Sequence, residues 1–194
     1  MVHTRLLQGR VLAGALLLFG LASPVLQAAE YKMDPSHTFI QFMTSHIGFG
    51  TIVGRFNTFS GSFQWDESQP QAASVEFTIQ MDSVDTNWAE RDKHLRGADF
   101  LNVDKYPTAT FKSSGYAGDA NRGTMQGTLT LRGVSRPVTL QVERLGEGQD
   151  PWGGHRVGFK ATTSIQRSEF GKPRDLGPKA DVVELHLFME GVRQ

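Results

Sequence analysis

Acids, bases and hydroxyls crowd together in one stretch of the chain, DSVDTNWAERDKHLR from Asp82 to Arg96. Asp92 and His94 have side chains suited to general acid and base work, and Ser83 is the serine nearest them in sequence. Spacing argues against a catalytic set, because residues two apart on a helix do not face each other. Ser83 also lacks the G-x-S-x-G surroundings that expose and activate a nucleophilic serine. The stretch fits better as a charged helix that Arg91 and Asp92 tie to neighbouring loops. An enzyme using Asp92 and His94 remains the minor alternative.

Metal chemistry has less support. His37, His46, His94, His155 and His186 form no H-x-H, H-E-x-x-H or H-x3–5-H pattern, and the chain has no cysteine to supply thiolate. No metal site and no cofactor is expected. His37 and His46 are expected near the mouth of whatever the strands enclose.

The elements that must position these residues are mostly strands. Ala73, Val75, Phe77, Ile79 and Met81 alternate with Ser74, Glu76, Thr78 and Gln80, the period of a half-buried strand. The same alternation recurs at 125–131, 138–142, 157–165 and 183–189. Extended stretches cover 31–46 and 51–65, and a shorter one 108–113. Turn-forming residues separate them at 115–123, 132–137 and 146–154. About eight antiparallel strands result, and closing them into a barrel leaves few exposed edges. The expected fold is all-β, an eight-stranded barrel with one short helical insertion at Trp88–Arg96. Asn87 is read as the N-cap of that helix, Glu90 as its capping-box partner and Gly97 as its stop. Spacing puts Trp88, Arg91, Asp92 and Leu95 on one face.

The inward positions are rich in aromatic rings: one of Phe39, Ile40 and Phe42, then Phe49, Phe56, Phe59, Phe63, Trp65, Phe77, Phe111 and Phe159. Eight-stranded barrels are just wide enough either to be filled by side chains or to hold one ligand. Both outcomes stay open on composition alone. Glycines in or beside strands, such as Gly54, Gly61 and Gly127, mark places where a ring or a ligand could approach the backbone.

The ends set the compartment. Arg5 and Arg10 precede the apolar run VLAGALLLFGLA, which falls short of the roughly 20 residues needed to span a membrane and leads to Pro24 and small residues. Residues 1–28 are read as a signal peptide, and 29–194 as one domain. Removing Arg5 and Arg10 with the leader turns a net charge of 0 into −2. No basic surplus remains for nucleic acid or for a polybasic membrane patch.

Several motifs carry a family likeness. Ser83-Val84-Asp85-Thr86-Asn87, Glu90 to Arg96, Asp99-Phe100-Leu101-Asn102, Tyr106-Pro107, Leu131-Arg132-Gly133-Val134, Asp150-Pro151-Trp152-Gly153-Gly154 and Asp175-Leu176-Gly177-Pro178 run in order over the mature chain. With them the chain resembles the YceI family of periplasmic polyisoprenoid-binding proteins. The resemblance implies an extended lipocalin-like barrel, commonly a homodimer, whose tunnel holds a polyisoprenoid or isoprenoid quinone-like lipid without acting on it. Another amphiphile, such as a fatty-acid derivative, is the alternative cargo. Phe42, Phe56, Phe63, Phe77, Ile79, Phe111 and Phe159 are then expected along the ligand, with His46, Arg91, Asp92 and His94 near its head group. A carrier of this kind works in the periplasm and meets a membrane, or a membrane protein, transiently.

Overall fold

The computed structural model describes residues 28–171 and 173–194. All but the last residue of the expected signal peptide therefore lies outside the described residues. The strands are β1 (Ala29–Met33), β2 (Phe39–His46), β3 (Gly50–Phe56), β4 (Phe59–Trp65), β5 (Ser74–Gln80), β6 (Val84–Asp85), β7 (Thr108–Gly118), β8 (Arg122–Leu131), β9 (Val134–Gln149), β10 (His155–Gln166) and β11 (Val182–Arg193). One helix, α1 (Ala89–Arg96), lies between β6 and β7.

These 11 segments form a single closed sheet of eight strand paths. Three paths are interrupted: β1 continues into β2, β3 into β4, and β5 into β6. Pairing shows this directly, since β11 uses Gly191–Arg193 for β1 and Val183–Phe188 for β2. Likewise β4 pairs with β1 while β3 pairs with β2, and β5 pairs with β4 while β6 pairs with β3. From there the sheet runs β5, β7, β8, β9, β10, β11 and closes on β1, antiparallel throughout. The all-β eight-stranded barrel expected from the alternation is therefore what the chain forms.

Local chemistry sets the turns. Leu131 pairs with Val134 across two residues, Arg132 and Gly133, both at positive φ (52° and 73°). This is the two-residue turn whose twist matches antiparallel strands, with glycine where a side chain is least tolerated. Strands β7 and β9 extend well past the stretches expected from alternation. Their ends carry mixed residues yet still pair with β8 and β10, so the apolar period fades before the pairing does.

The helix starts differently from its sequence reading. Asn87 sits at φ 62°, with its backbone N–H donating to Asp85 Oδ1, and no side chain caps the helix. The capping box with Glu90 does not form. Gly97 does end the helix, its N–H donating to the His94 carbonyl. Of the face expected to pack, Asp92 is buried and Leu95 half-buried, whereas Trp88 is 64% exposed.

The core alternates as expected along β5, with Val75, Phe77 and Ile79 buried. Ile40 and Phe42 point inward and Phe39 outward. Phe49 is corrected outright: at 86% exposure it sits at the β2–β3 hairpin tip, outside the alternating part of either strand.

Candidate functional site

The interior divides into two ends. At one end lie the start of β1, the ends of β4 and β9 and the start of β10, and aromatic rings fill it. Tyr31 stacks on Phe63 with centroids 5.2 Å apart, and Phe159 meets Phe63 and Trp65 edge-on at 5.8 and 5.0 Å. Gly191 makes room for this packing, because a Cβ there would run into the Phe63 ring and lie 3.0 Å from Tyr31 Cβ. The polar tips of the rings converge on Glu147. Its carboxylate accepts from Tyr31 Oη (3.3 Å), Trp65 Nε1 (3.1 Å) and Arg144 Nη1 (3.2 Å), and lies 3.0 Å from His155 Nε2. Burial pushes the Glu147 carboxyl up, but the hydrogen bonds from His155, Trp65 and Tyr31 outweigh it and hold it below the usual range. Burial, together with the Glu147 charge, pushes the Tyr31 phenol up to about 12.

Toward the other end the barrel is hollow. A cavity of about 320 Å³ runs inside β2, β5, β7, β8, β9, β10 and β11, walled by Phe42, Phe77, Ile79, Phe111, Leu129, Leu140, Ile165 and Leu187 among others. That volume falls within the ~300–1,000 Å³ typical of ligand sites. Phe77 and Phe111 stack at 5.4 Å, and Gly127 lets Phe111 lie flat against β8. Over this end sit α1, the turn that follows it and the segment after β10. Arg174 N donates to the Asp99 carbonyl (2.6 Å) and joins the last two pieces.

The charged helix is fixed through Thr86. Asp92 Oδ1 accepts from Thr86 N (2.8 Å) and Thr86 Oγ1 (2.5 Å), while Arg91 Nε donates to Thr86 Oγ1 (2.7 Å) and Nη2 to the Thr86 carbonyl (2.7 Å). This leaves a buried carboxylate satisfied, as burial of a charge requires. Asp92 thus holds the helix in place and does not face the cavity.

Eight residues singled out from sequence line this cavity: Phe42, His46, Phe56, Phe77, Ile79, Arg91, His94 and Phe111. Phe63 and Phe159 lie in the filled end and Asp92 under the helix, so none of these three touches it. Alternation assigned Phe63 and Phe159 to the interior correctly, but it carries no information about which end of the interior is packed. His37 is also away from the cavity, 54% exposed beside Asp34. Arg132 and Arg167 line the cavity and were not singled out. Arg132 stands in a turn and Arg167 just past a strand, where basic residues are ordinary, so neither gave a signal.

One further cluster joins residues far apart in sequence. Asp34, His37 and Glu190 bring ligand atoms within 4.8 Å of one another. Arg156 already occupies the centre, with Nη1 2.6 Å from both Asp34 Oδ2 and Glu190 Oε1 and Nε 2.7 Å from Asp150 Oδ2. That guanidinium neutralises the carboxylates and holds Asp34 well below the usual carboxylate range. The cluster fits an ion-pair network tying β10, β11 and the β1–β2 break, not a cation site.

With this geometry, the comparison with known proteins is decisive. The YceI-like domain model matches residues 31–190. The chain belongs to the YceI-like family. A UPF0312 protein of Pseudomonas aeruginosa is 50% identical over 169 residues, covering 86% of this chain and 88% of that one. The crystal structure of Burkholderia cenocepacia BcnA aligns with a TM-score of 0.73 at 25% identity, over 81% of this chain and 98% of that one. A polyisoprenoid binding domain from Saccharophagus degradans aligns with a TM-score of 0.63 at 18% identity, over 86% and 99%, a likeness of fold. The YceI-like barrel of this chain is thus one with a hollow, apolar half.

Proposed function

We propose that the protein is a periplasmic carrier that holds a long-chain lipid, a polyisoprenoid or isoprenoid quinone-like molecule, in the hollow half of its barrel and performs no chemistry on it. The observation that carries this reading is the apolar cavity, whose walls are mostly aliphatic and aromatic side chains. A prenyl chain has almost no polar handles. Its binding comes from apolar area removed from water, at about 25 cal/mol per Å² before ordering costs. The family likeness points the same way, since a barrel of the same fold is described as polyisoprenoid binding.

The non-catalytic part of the reading follows from where the reactive residues go. Asp92 is spent on Thr86, and Ser83 Oγ donates to the Gln80 carbonyl (2.6 Å), so neither meets a substrate in the cavity. Ile47, at the cavity mouth, and Phe49 form an exposed apolar hairpin tip. Such a tip suits brief contact with a bilayer during loading. The leader read at residues 1–28 supplies the export that a carrier across the periplasm needs.

Native mass spectrometry of the protein purified from a bacterial periplasm, with organic extraction of what leaves it, tests the proposal. A stoichiometric prenyl or quinone-like species is expected. Bare protein that also refuses added prenyl lipids would overturn the carrier reading.

A further inference from the structure

The titratable side chains that line the cavity are all basic. His46, Arg91, His94, Arg132 and Arg167 reach its wall, and among the described residues no aspartate or glutamate does. Elsewhere among the described residues, Arg55, Arg122, Arg144, Arg156 and Arg174 each have a carboxylate within 4.0 Å, while Arg96 and Arg136 donate to backbone carbonyls and Arg193, outside the cavity, has no carboxylate that near. Among the described residues no carboxylate lies within 4.0 Å of Arg91, Arg132 or Arg167, which line the cavity. Arg91 is held by Thr86 through Nε and Nη2, which leaves its Nη1 for another acceptor. Arg167 donates to the carbonyls of Ala180 (3.0 Å) and Arg174 (3.1 Å). Asp181 and Asp175 lie close enough to act on it, but Asp181 is engaged by Ser168 through both backbone N–H and hydroxyl. Burial holds the Arg167 guanidinium below the usual arginine value, and the nearby Arg132 charge adds to this.

Arg132 is the least satisfied of the three. Its Nε is buried with no hydrogen-bond partner, the only such side-chain atom among the described residues. Its other contacts are weak: Nη1 reaches the Ala98 carbonyl at 3.5 Å, and the guanidinium lies 6.0 Å from the Tyr106 ring centroid. A buried donor without an acceptor costs stability, and such groups in native proteins call for a reason. Cations gathered at one end of an apolar cavity, with no acid among its lining, repel a cationic head group and leave a neutral alcohol underused. They suit a group with several acceptor oxygens and negative charge, which matches the fork of a guanidinium.

We propose that the roofed end of the cavity is an oxyanion head-group site, in which Arg132, with Arg91 and Arg167, receives the carboxylate or phosphate that ends a lipid chain lying in the apolar interior. This rests on the lipid-holding reading above and narrows it from any long apolar chain to an anionic amphiphile.

Binding of hexadecanoic acid, hexadecyl phosphate, hexadecan-1-ol and inorganic phosphate to the delipidated protein at pH 8 tests it. At least one of the two anionic lipids should bind about tenfold more tightly than the alcohol, the least that a charge-assisted hydrogen bond supplies. The tighter of the two identifies the head group. Arg132→Gln should reduce that advantage to about threefold or less, while Arg122→Gln, on the outer surface beside Glu143, should leave it intact. Equal binding of the alcohol and both anions would overturn the proposal, as would phosphate alone binding as tightly as the phosphate lipid. These ratios are read on the wild-type protein, so they decide the matter even if Arg132→Gln folds poorly. Binding of none of the three lipids would overturn the carrier reading along with this one.

Discussion

The two ends of this barrel are built from the same alternating strands, yet one is packed solid and the other is hollow. At the packed end four aromatic rings, Tyr31, Phe63, Trp65 and Phe159, interlock, and the polar tips of Tyr31 and Trp65 share one carboxylate, Glu147. At the hollow end Phe77 and Phe111 stack flat along the wall, and the middle is left open. Barrel width permits either outcome, so ring placement and glycine placement decide it. Packing is thereby concentrated at one end, and open volume at the other.

The largest effect that would sharpen this contrast comes from truncating a ring at each end. Phe159→Ala should destabilise the protein by about 3–5 kcal/mol, because the surrounding rings cannot collapse into the space. Phe77→Ala should cost less, since one side of that ring already faces open volume and has fewer contacts to lose. Denaturant unfolding of both variants checks this, and equal costs would break the distinction. Phe77→Asp, in a variant shown to fold, should abolish lipid binding, because it places an unpaired charge on the cavity wall.

Glycine substitutions sharpen it further. At Gly191 an added methyl meets the Phe63 ring, which is wedged between Tyr31 and Phe159, so Gly191→Ala should cost about 1–3 kcal/mol by overpacking. At Gly54 an added methyl meets the Phe42 ring and, at 2.8 Å, Thr86 Cγ2. Phe42 lines the cavity and can swing into it. Gly54→Ala should therefore weaken lipid binding more than it lowers the melting temperature, the reverse of Gly191→Ala. Thermal melts and a lipid titration on the same two samples compare them.

The smallest effect is in acid. Glu147 has its carboxyl held below the usual range in the folded protein, so the stability it contributes is present above its ordinary value of 4.5 and lost as pH falls through the lowered folded value. Asp34, held down by Arg156, acts in the same direction. Wild-type stability should therefore decline below about pH 4.5, and Glu147→Gln should decline less steeply over that window. An unchanged slope would mean that the packed end does not depend on the Glu147 charge.

Alternation in the sequence was enough to find the strand paths, because a half-buried strand repeats every two residues wherever it lies. It located Phe77, Ile79 and Phe111 on the interior side, and the clustered charge of 88–96 located the helix. The division into two ends was not legible. Phe63 and Phe77 both occupy inward positions on neighbouring strands, and it is the contact of Phe63 with Tyr31 and Phe159, from distant segments, that packs one of them away from the cavity. Asp92 and Arg91 tie the helix to the preceding segment as their types suggested, but the partner was not legible: Thr86 lies in a bend beside Asn87 at positive φ that composition does not announce. Arg132 drew no attention because its meaning lies in an acceptor it lacks.

The measurement that tests the central claim most directly is a crystal structure of the protein loaded with the 20-carbon prenyl alcohol geranylgeraniol. The chain should lie in the hollow half, against Phe77, Phe111, Ile165 and Leu187, with the stack of Tyr31 on Phe63 undisturbed. A chain threaded between Phe63 and Phe159, or bound on the outside of the barrel, would contradict the division into a packed end and a carrying end.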